Sequence, residues 1–535
     1  MKNKPVKLHQ LGRAVAVLAG SLLAGSAAQA MDLNPDGDWQ VRWDNTFKYS
    51  GGYRLKNPDG ALISPAAAKR NNDDGDRNIQ RGLMSNRLDW LTEFDVQKDG
   101  FGFRVSAAGW YDTVYNRRND NDSPSTANIT SGSYNQFTNG TRTAAGQNLE
   151  LLDMFAFGRV DIGDKRLSIR AGQFSQIWGT SLFFGNNGIA KGMAPIDIYK
   201  LNIPGTTAKE TTMPVPQLSG TLQLTDSTSL EAYVQAKFKP TRLPPAGSYF
   251  SSADFLGPGR EVFDLGTPGP GKLNYAGEIK GSHSPNFGLA LNTHSDWLDT
   301  DFGFYALRYQ DTSPQVFTQV PNKRYWIVYP KNVRVVGTSF GTQVGDANVS
   351  GEASVRFGQP LAAKQGSLSL AAGATNTNLG SDAIYPTGKT AHVNLSMVNV
   401  LGPSALWGGA SLTGEVAANH VMSIDRNENI VDPTRNKTSV GMRMIFTPTY
   451  YQVMPGLDLS PSVNLGWSFK GNSMIDTAFP FAGSPNKGGD LVLGLTGVYL
   501  SKWTANLSYV RYLGKVDTQA MLDRDYIRFS LQTSF

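Results

Sequence analysis

The feature that most constrains this chain is a period-two alternation of apolar and polar residues, which recurs from about residue 40 to the last residue. In the final stretch, Ile527, Phe529 and Leu531 lie on one side, while Arg528 and Ser530 lie on the other. Successive side chains of a β-strand point to opposite faces, so each such segment predicts a strand with one apolar and one polar face. The pattern predicts an all-β chain.

The connections between these segments are short and long by turns. Short turns such as Lys98-Asp99-Gly100 and Gly345-Asp346 alternate with long polar connections such as Gly51 to Arg81 and Lys239 to Pro285. Hairpins with tight periplasmic ends and elaborated outer ends have this pattern in outer-membrane barrels, and an even strand number places both termini on the periplasmic side. The sequence therefore predicts one transmembrane antiparallel up-and-down β-barrel of about 18 strands within residues 31–535.

The first thirty residues have the pattern of an export signal. Four basic residues up to Arg13 precede an apolar run that ends near Leu23, and Ala28-Gln29-Ala30 supplies a small-residue cleavage site. We expect cleavage near Ala30 and a location in the outer membrane of a Gram-negative cell. No later apolar run reaches the roughly 18 residues of a membrane-spanning helix, which leaves a closed barrel as the spanning structure.

Charge and cysteine usage narrow the class further. The 50 basic and 44 acidic residues give a formal charge of +6, and without the four basic residues of the signal it falls to +2, which gives no reason to expect a nucleic-acid partner. The chain has no cysteine, so it forgoes disulfides. The expected partners are outer-membrane lipid and, through the terminal strand that ends at Phe535, the barrel-assembly machinery.

Ionisable residues on the polar strand faces are candidates for the wall of an aqueous lumen. A basic side chain that faces lipid at the bilayer midplane costs about 2–4 kcal/mol, so these residues are expected to face inward. They pair with one another or select solutes. The candidates are Arg42, Arg87, Asp89, Glu93, Arg104, Asp112, Glu231, Glu352, Arg356 and Arg528.

The connection between residues 175 and 214 is less polar than the other long connections. A loop with this many aromatic and aliphatic residues is poorly suited to water, so we expect it to fold into the barrel and constrict the lumen. Its candidate binding residues are Trp178, Phe183, Phe184, Lys200, Lys209 and Glu210.

Motifs for catalysis or metal binding are weak. Gly337-Thr338-Ser339-Phe340-Gly341 matches the nucleophile elbow of esterases, but it lies within an alternating strand and not at a strand-to-helix turn. No histidine has metal-ligand spacing to a second histidine. We predict no enzyme, no cofactor and no metal ligand. The oxygen-rich runs Asn71 to Asp76 and Asn119 to Asp122 are expected to be solvated outer loops, and calcium binding by these loops stays open.

Several short runs, taken together, carry a family resemblance over nearly the whole mature chain. They include Asn86-Arg87-Leu88-Asp89, Ala107-Ala108-Gly109-Trp110-Tyr111-Asp112, Trp178-Gly179, Pro195-Ile196-Asp197-Ile198-Tyr199-Lys200, and Pro244-Pro245-Ala246-Gly247-Ser248-Tyr249-Phe250-Ser251. The chain resembles a proteobacterial outer-membrane family catalogued as domain of unknown function 1302. Where members of that family often carry Trp-Gly-Glu-Ser, this chain has Thr180 in place of the acid, so no role for that acid carries over.

The resemblance implies a function in transport across the cell envelope. Such barrels are often encoded beside a periplasmic protein and an inner-membrane exporter of the resistance-nodulation-division type, which suggests traffic of a lipid-like, hydrophobic or amphipathic compound. The first alternative is a general diffusion porin or an uptake channel for aromatic or hydrocarbon nutrients. The second, from a different class, is a barrel hydrolase or a structural surface protein.

Overall fold

The computed structural model describes residues 31–34, 37–64, 69–203, 206, 208–266, 268–280, 285–372, 383–481 and 487–535. The predicted export signal, residues 1–30, lies outside these ranges. Within them, eighteen antiparallel strands form one closed barrel, which confirms the predicted fold class and strand number.

The barrel strands follow the chain order, and each pairs with the strands before and after it. They are β1 Gln40–Arg54, β2 Gly82–Lys98, β3 Phe101–Asp112, β4 Gln147–Ile162, β5 Lys165–Phe174, β6 Val215–Gln223, β7 Thr228–Gln235, β8 Phe287–Ser295, β9 Thr300–Tyr309, β10 Val333–Val344, β11 Ala347–Pro360, β12 Thr387–Leu401, β13 Gly409–Arg426, β14 Thr438–Met454, β15 Leu457–Lys470, β16 Gly489–Tyr499, β17 Trp503–Leu513 and β18 Tyr526–Ser534.

The ring closes where β18 pairs with β1. Their register runs from Thr46 opposite Ser534 to Arg54 opposite Tyr526. Beyond the last strand residue, Asn45 and Phe535 exchange two backbone hydrogen bonds of 2.8 and 3.0 Å. Closure leaves no barrel strand with an unpaired edge, which is the condition for a sheet to cross lipid.

The outer face of the barrel is apolar. On β18, Ile527, Phe529 and Leu531 remain between 36% and 40% exposed although they are large and apolar. The same alternation leaves apolar side chains exposed around the ring, with aromatic residues near the ends of several strands. Contiguous exposure on this scale marks a surface covered by lipid. Examples are Trp43, Phe47, Trp90, Phe103, Leu149, Phe304, Val393, Leu395, Val416, Tyr451, Leu495, Trp503 and Leu507.

The predicted alternation of connection lengths is present in the structure. The short ends are residues 99–100, 163–164, 224–227, 296–299, 345–346, 402–408, 455–456 and 500–502. The long ends are 55–81, 113–146, 175–214, 236–286, 310–332, 361–386, 427–437, 471–488 and 514–525. Two of these connections were not predicted from the sequence: the Pro455-Gly456 turn, which interrupts the alternation for only two residues, and 514–525.

The nine long connections, which we call the outer connections, contain further secondary structure. A second, four-stranded sheet consists of Val262–Asp264, Lys272–Lys280, Gln315–Gln319 and Arg324–Tyr329. Its core includes the buried rings of Phe263 and Tyr325. The described helical turns are Gly60–Ile63, Asp74–Arg77, Asn139–Thr141, Arg142–Gly146, Ile189–Gly192, Ile198–Leu201, Ala208–Thr211, Val320–Asn322 and Glu428–Ile430. Within the described ranges, no helix combines the length and apolar character of a membrane-spanning helix.

A charge on the outer face should destabilise the barrel according to its depth. Leu395 lies near the middle of β12 and is 51% exposed, whereas Leu406 lies in the short 402–408 turn. We expect Leu395→Arg to lower the free energy of unfolding in lipid vesicles by about 2–4 kcal/mol, and Leu406→Arg by about 0–1 kcal/mol. Urea titration followed by the electrophoretic mobility of the folded barrel measures both. Equal losses in the two variants would contradict a lipid-facing β12.

Candidate functional site

The connection between β5 and β6, residues 175–214, contacts side chains on the inner face of the barrel; we refer to it as the crossing loop. Residues 204, 205 and 207 and the side chains of Ala208 and Lys209 lie outside the described part. The first half of the crossing loop lies against strands β7 to β13. The second half lies against the opposite part of the ring, strands β1 to β4 and β18.

Two residues of β11, Glu352 and Arg356, bond to the backbone of the first half of the crossing loop. The Glu352 carboxylate accepts hydrogen bonds from the backbone N–H groups of Thr180 (2.8 Å) and Ile189 (3.0 Å). Arg356 donates from one guanidinium nitrogen to the carbonyls of residues 186, 187 and 188 at 3.1, 2.8 and 2.9 Å. A Cβ on Gly188 would fall on the Glu352 carboxylate, so a side chain at this position would displace that carboxylate from its bonds to the loop.

Glu415 of β13 supplies a third carboxylate. One of its oxygens accepts from the three successive backbone N–H groups of Leu182, Phe183 and Phe184. The other accepts from the Ser181 hydroxyl (2.8 Å) and the Asn394 amide (2.7 Å). Successive N–H groups that converge on one anion form a nest, and charge-assisted bonds of this kind are stronger than neutral ones.

Asn187 occupies the space between β12 and β13. Its amide nitrogen donates to the side-chain oxygen of Asn394 (2.8 Å) and to the carbonyl of Ala418 (3.0 Å). Its amide oxygen accepts from Asn419 (3.1 Å) and lies 3.0 Å from Nδ1 of His392. These partners of the Asn187 side chain belong to the same two strands.

An aromatic contact also joins the first half of the crossing loop to the wall. The Trp178 ring lies 5.0 Å from the ring of Tyr233 and 6.0 Å from that of Tyr305, and its indole N–H donates to Glu231 (2.8 Å). At the outer end, the Lys191 ammonium lies 3.2 Å from the Asp311 carboxylate. Burial opposes ionisation of Asp311, but the charges of Lys191 and Arg356, together with hydrogen bonds from Lys191 and the Ser313 backbone N–H, lower the pKa of Asp311.

The second half of the crossing loop is held by ion pairs. The Lys200 ammonium lies 2.6 Å from Glu150 of β4 and 4.8 Å from the centre of the Trp110 ring. The guanidinium of Arg87 lies 5.0 Å from the same ring. Trp110 interrupts the apolar-out pattern of β3, and its inward ring is a cation–π partner for one residue of the wall and one of the crossing loop.

Further contacts hold the second half of the crossing loop to β1 and β18. The Lys48 ammonium lies 3.6 Å from the Glu210 carboxylate and 3.5 Å from the Thr206 hydroxyl. Arg528 donates to the carbonyl of Asn202 at 3.2 Å. The described contacts therefore join the crossing loop to two opposite parts of the ring, so that the loop passes through the interior.

The ten predicted wall residues fall into two groups. Glu231, Glu352, Arg356 and Arg528 bond directly to the crossing loop, and Arg87 shares the Trp110 ring with it. The others bond within the wall. Arg104 makes a two-pronged pair with Asp95 (2.6 and 2.8 Å) and lies 4.0 Å from Glu93, Asp89 pairs with Arg87 (2.8 Å), Arg42 lies 3.9 Å from Asp44, and Asp112 accepts from Ser85 (2.6 Å).

The predicted residues of the crossing loop are also placed. Trp178, Lys200 and Glu210 contact the wall as described. The Phe184 ring packs 5.7 Å from both Phe479 and Phe481 of the outer connection 471–488, and Phe183 borders this cluster. The Lys209 side chain lies outside the described part.

Four residues of the site were not predicted from the sequence: Glu415, Asn187, His392 and Asn394. For Glu415 the signal was present, because an acid that faces lipid is also destabilising, although less than a base, and Glu415 is flanked by Gly414 and Val416. The neutral residues carried no such signal. The esterase-like motif lies inside β10, where the Ser339 hydroxyl is 2.9 Å from that of Tyr305.

Two adjoining cavities lie among the outer connections and share Arg242, Pro258 and Arg260 in their linings. Their volumes are about 230 and about 450 Å³. The smaller cavity combines apolar side chains such as Leu243, Leu256 and Ile327 with the charged groups of Lys239, Arg242, Arg260 and Glu278. Three cations and one carboxylate make its ionisable lining net positive.

The fold and the apolar outer face define a transmembrane β-barrel. The chain belongs to the family described as "Protein of unknown function (DUF1302)", whose model matches residues 11–535, and the predicted family is confirmed. No curated protein matches the sequence.

Solved structures with similar barrels include OccAB1 and OccAB4 of Acinetobacter baumannii and a BenF-like porin from Pseudomonas fluorescens Pf-5. OccAB1 has 10% identity and a TM-score of 0.44 over 96% of this chain and 99% of its own. OccAB4 has 9% identity and a TM-score of 0.43 over 94% and 99%. The BenF-like porin has 9% identity and a TM-score of 0.42 over 93% and 98%.

Loss of the Glu415 charge should loosen the crossing loop. Glu415→Gln weakens the acceptor of three buried N–H groups at a cost of about 1–3 kcal/mol, which raises the undocked population about 5- to 150-fold. We expect more frequent openings of single channels in planar bilayers. Asp95→Asn is the matched control, because Asp95 pairs with Arg104 within the wall. Unchanged opening in Glu415→Gln, or equal opening in both variants, would contradict this role.

Proposed function

We propose that this protein is an outer-membrane channel that transports an amphipathic compound and that the crossing loop controls passage. The observation that carries the proposal is that the crossing loop is bonded to opposite parts of the inner wall. A barrel of this size has room for an aqueous lumen unless something fills it. An inserted loop held by side-chain hydrogen bonds supports a regulated path rather than a general diffusion porin.

The location follows from the surface. The exposed apolar outer face supports insertion in a membrane, and the alternation of short and long connections supports the outer membrane with its long connections outside the cell. Export with cleavage near Ala30 is part of the proposal, because those residues lie outside the described part.

The cavities favour a particular chemistry of the transported compound. Leucine, isoleucine and proline side chains offer an apolar surface, while Lys239, Arg242 and Arg260 bring positive charge to the same space. Arg242 is already paired with Glu150 (2.8 Å), whereas the Lys239 ammonium donates to the Pro214 carbonyl (3.2 Å). We infer a compound with an apolar body and an anionic group, which falls within the lipid-like class that the family resemblance implies.

Uptake of aromatic or hydrocarbon nutrients is the second candidate. It is favoured by an aromatic cluster within the outer half of the barrel, in which the Tyr199 ring lies 6.5 Å from Tyr115 and 6.2 Å from Phe250, and the Tyr526 ring lies 5.7 Å from Phe250. The periplasmic partner and the resistance-nodulation-division exporter that the family resemblance implies belong to the export version of the proposal. Co-purification from membranes with the neighbouring gene products tests that version.

Transport into lipid vesicles tests the compound class. We expect the protein to accelerate entry of a long-chain carboxylate, and Lys239→Met to slow that entry on the order of tenfold, since a hydrogen bond to a charged group contributes roughly 1.5–3 kcal/mol. Entry of the corresponding alcohol should be the same in both proteins. Vesicles without protein give the background. If the carboxylate enters no faster than this background, or if Lys239→Met slows both compounds equally, the proposed substrate class is wrong.

A further inference from the structure

Three carboxylates of the outer connections lie close together, away from the crossing loop. Asp73 and Asp74 belong to the connection 55–81, and Asp254 belongs to the connection 236–286. One oxygen of each lies within 4.8 Å of one oxygen of the other two. The residues are 0%, 7% and 1% exposed, in contrast to the solvated loop expected from the sequence. Groups of this kind are seldom buried together without a compensating charge.

Two oxygens of this cluster are buried without a hydrogen-bond donor in the described part of the chain. They are Oδ1 of Asp73 and Oδ1 of Asp254. Their companion oxygens are bonded: Oδ2 of Asp73 accepts from Arg77 (2.6 Å) and Thr126 (2.8 Å), and Oδ2 of Asp254 accepts from the Asp74 backbone N–H (3.2 Å). Each carboxylate is therefore fixed by one oxygen, while the other is left for a ligand.

The third carboxylate is fixed by the connection 113–146. Asn121 donates to Oδ1 of Asp74 (3.1 Å), and the backbone N–H of Asn128 donates to Oδ2 (2.8 Å). The side-chain oxygen of Asn128 is likewise buried without a partner among the described residues. Three outer connections thus meet at one cluster of oxygen atoms.

Of the neighbouring arginines, one pairs with the cluster and the other is engaged elsewhere. Arg77 bonds to Asp73 and Asp122, while Arg524 bonds to Asp76 and to the carbonyls of Tyr249 and Ser251. Among the described residues, no lysine or arginine lies within ion-pair distance of Asp74 or Asp254.

We propose that Asp73, Asp74 and Asp254 bind one calcium ion, which ties the outer connection 55–81 to 236–286 and, through the hydrogen bonds of Asp74, fixes both against the connection 113–146. The donor set is oxygen alone, and hard cations prefer oxygen ligands. Calcium accepts several carboxylate and amide oxygens in irregular geometry, whereas magnesium keeps several waters, which a buried cluster does not favour. Zinc prefers nitrogen and sulfur ligands, and none belongs to the cluster.

The ion would stabilise the outer layer of the barrel. The cluster lies next to the network in which Asp76 pairs with Arg54 of β1 (2.7 Å) and Arg524 of the connection 514–525 (3.2 Å). Asp254 also precedes the segment 256–260, which lines the cavities. Calcium outside the cell would thus order these walls, and the site stands independently of which compound is transported.

Thermal unfolding of the full-length protein in detergent, at increasing CaCl₂ concentration, tests the site. A ligand that binds only the folded state raises the Tm with its concentration. We expect the Tm of the wild type to rise and saturate, with a Kd on the order of 10⁻⁴ to 10⁻³ M, the range of extracellular calcium modules. The rise should be lost in Asp254→Asn. Asp432→Asn, an acid of the separate outer connection 427–437, is the matched control and should keep the full rise.

A second variant and a second metal complete the experiment. Asp74→Asn serves as the second variant if Asp254→Asn does not fold, and MgCl₂ replaces CaCl₂ in a parallel series. A wild-type Tm that does not respond to calcium, or a rise that persists in the cluster variant, would overturn the proposal. A response to magnesium alone would overturn the choice of calcium. Because folding and not transport is measured, failure here is separate from failure of the proposed channel function.

Discussion

The structure depends on the requirement that every backbone N–H and C=O group within lipid has a hydrogen-bond partner. The pairing of β18 with β1 meets this requirement for the barrel, because it removes the last open edge. Closure also creates an interior, and any irregular backbone that enters it faces the same requirement. Side chains of the wall meet it for the crossing loop: Glu352 and Glu415 accept its N–H groups, and Arg356 donates to its carbonyls.

This form of docking has a consequence for movement. Charged side chains bonded to neutral backbone groups are stable while water is excluded, but a charge left buried without its partner is costly. If the crossing loop leaves the wall, water in the lumen can solvate both the charged side chains of the wall and the backbone groups of the loop. The cost of separating them therefore falls. Polar contacts suit a loop that docks and undocks, whereas a large apolar contact would not be replaced by water. The Trp178 contact with Tyr233 and Tyr305 is the apolar exception on that side.

The sequence predicted the barrel because lipid and water impose opposite demands on alternate residues, and this pattern is local. It also indicated that the crossing loop folds into the barrel, because this connection has apolar residues such as Trp178 and Phe184, whereas the other long connections are more polar. It did not predict which wall residues hold the loop, because partners such as Phe184 and Glu415 are 231 positions apart in the chain and meet only in the closed ring. Trp110 breaks the apolar-out alternation of β3, but this local break could not identify its two cation partners, which come from β2 and the crossing loop. The small outer sheet has strands as short as three residues, too short for a pattern.

The central claim is that passage requires the crossing loop to leave the wall. The absence of cysteine allows a direct test with Asn187→Cys and Asn419→Cys, whose native side chains are 3.1 Å apart. A short, reducible thiol-reactive linker then joins the crossing loop to β13, and entry of the long-chain carboxylate into vesicles is measured before and after reduction. The account predicts that entry stops while the linker is intact and returns when it is reduced. Undiminished entry through the linked protein would contradict it.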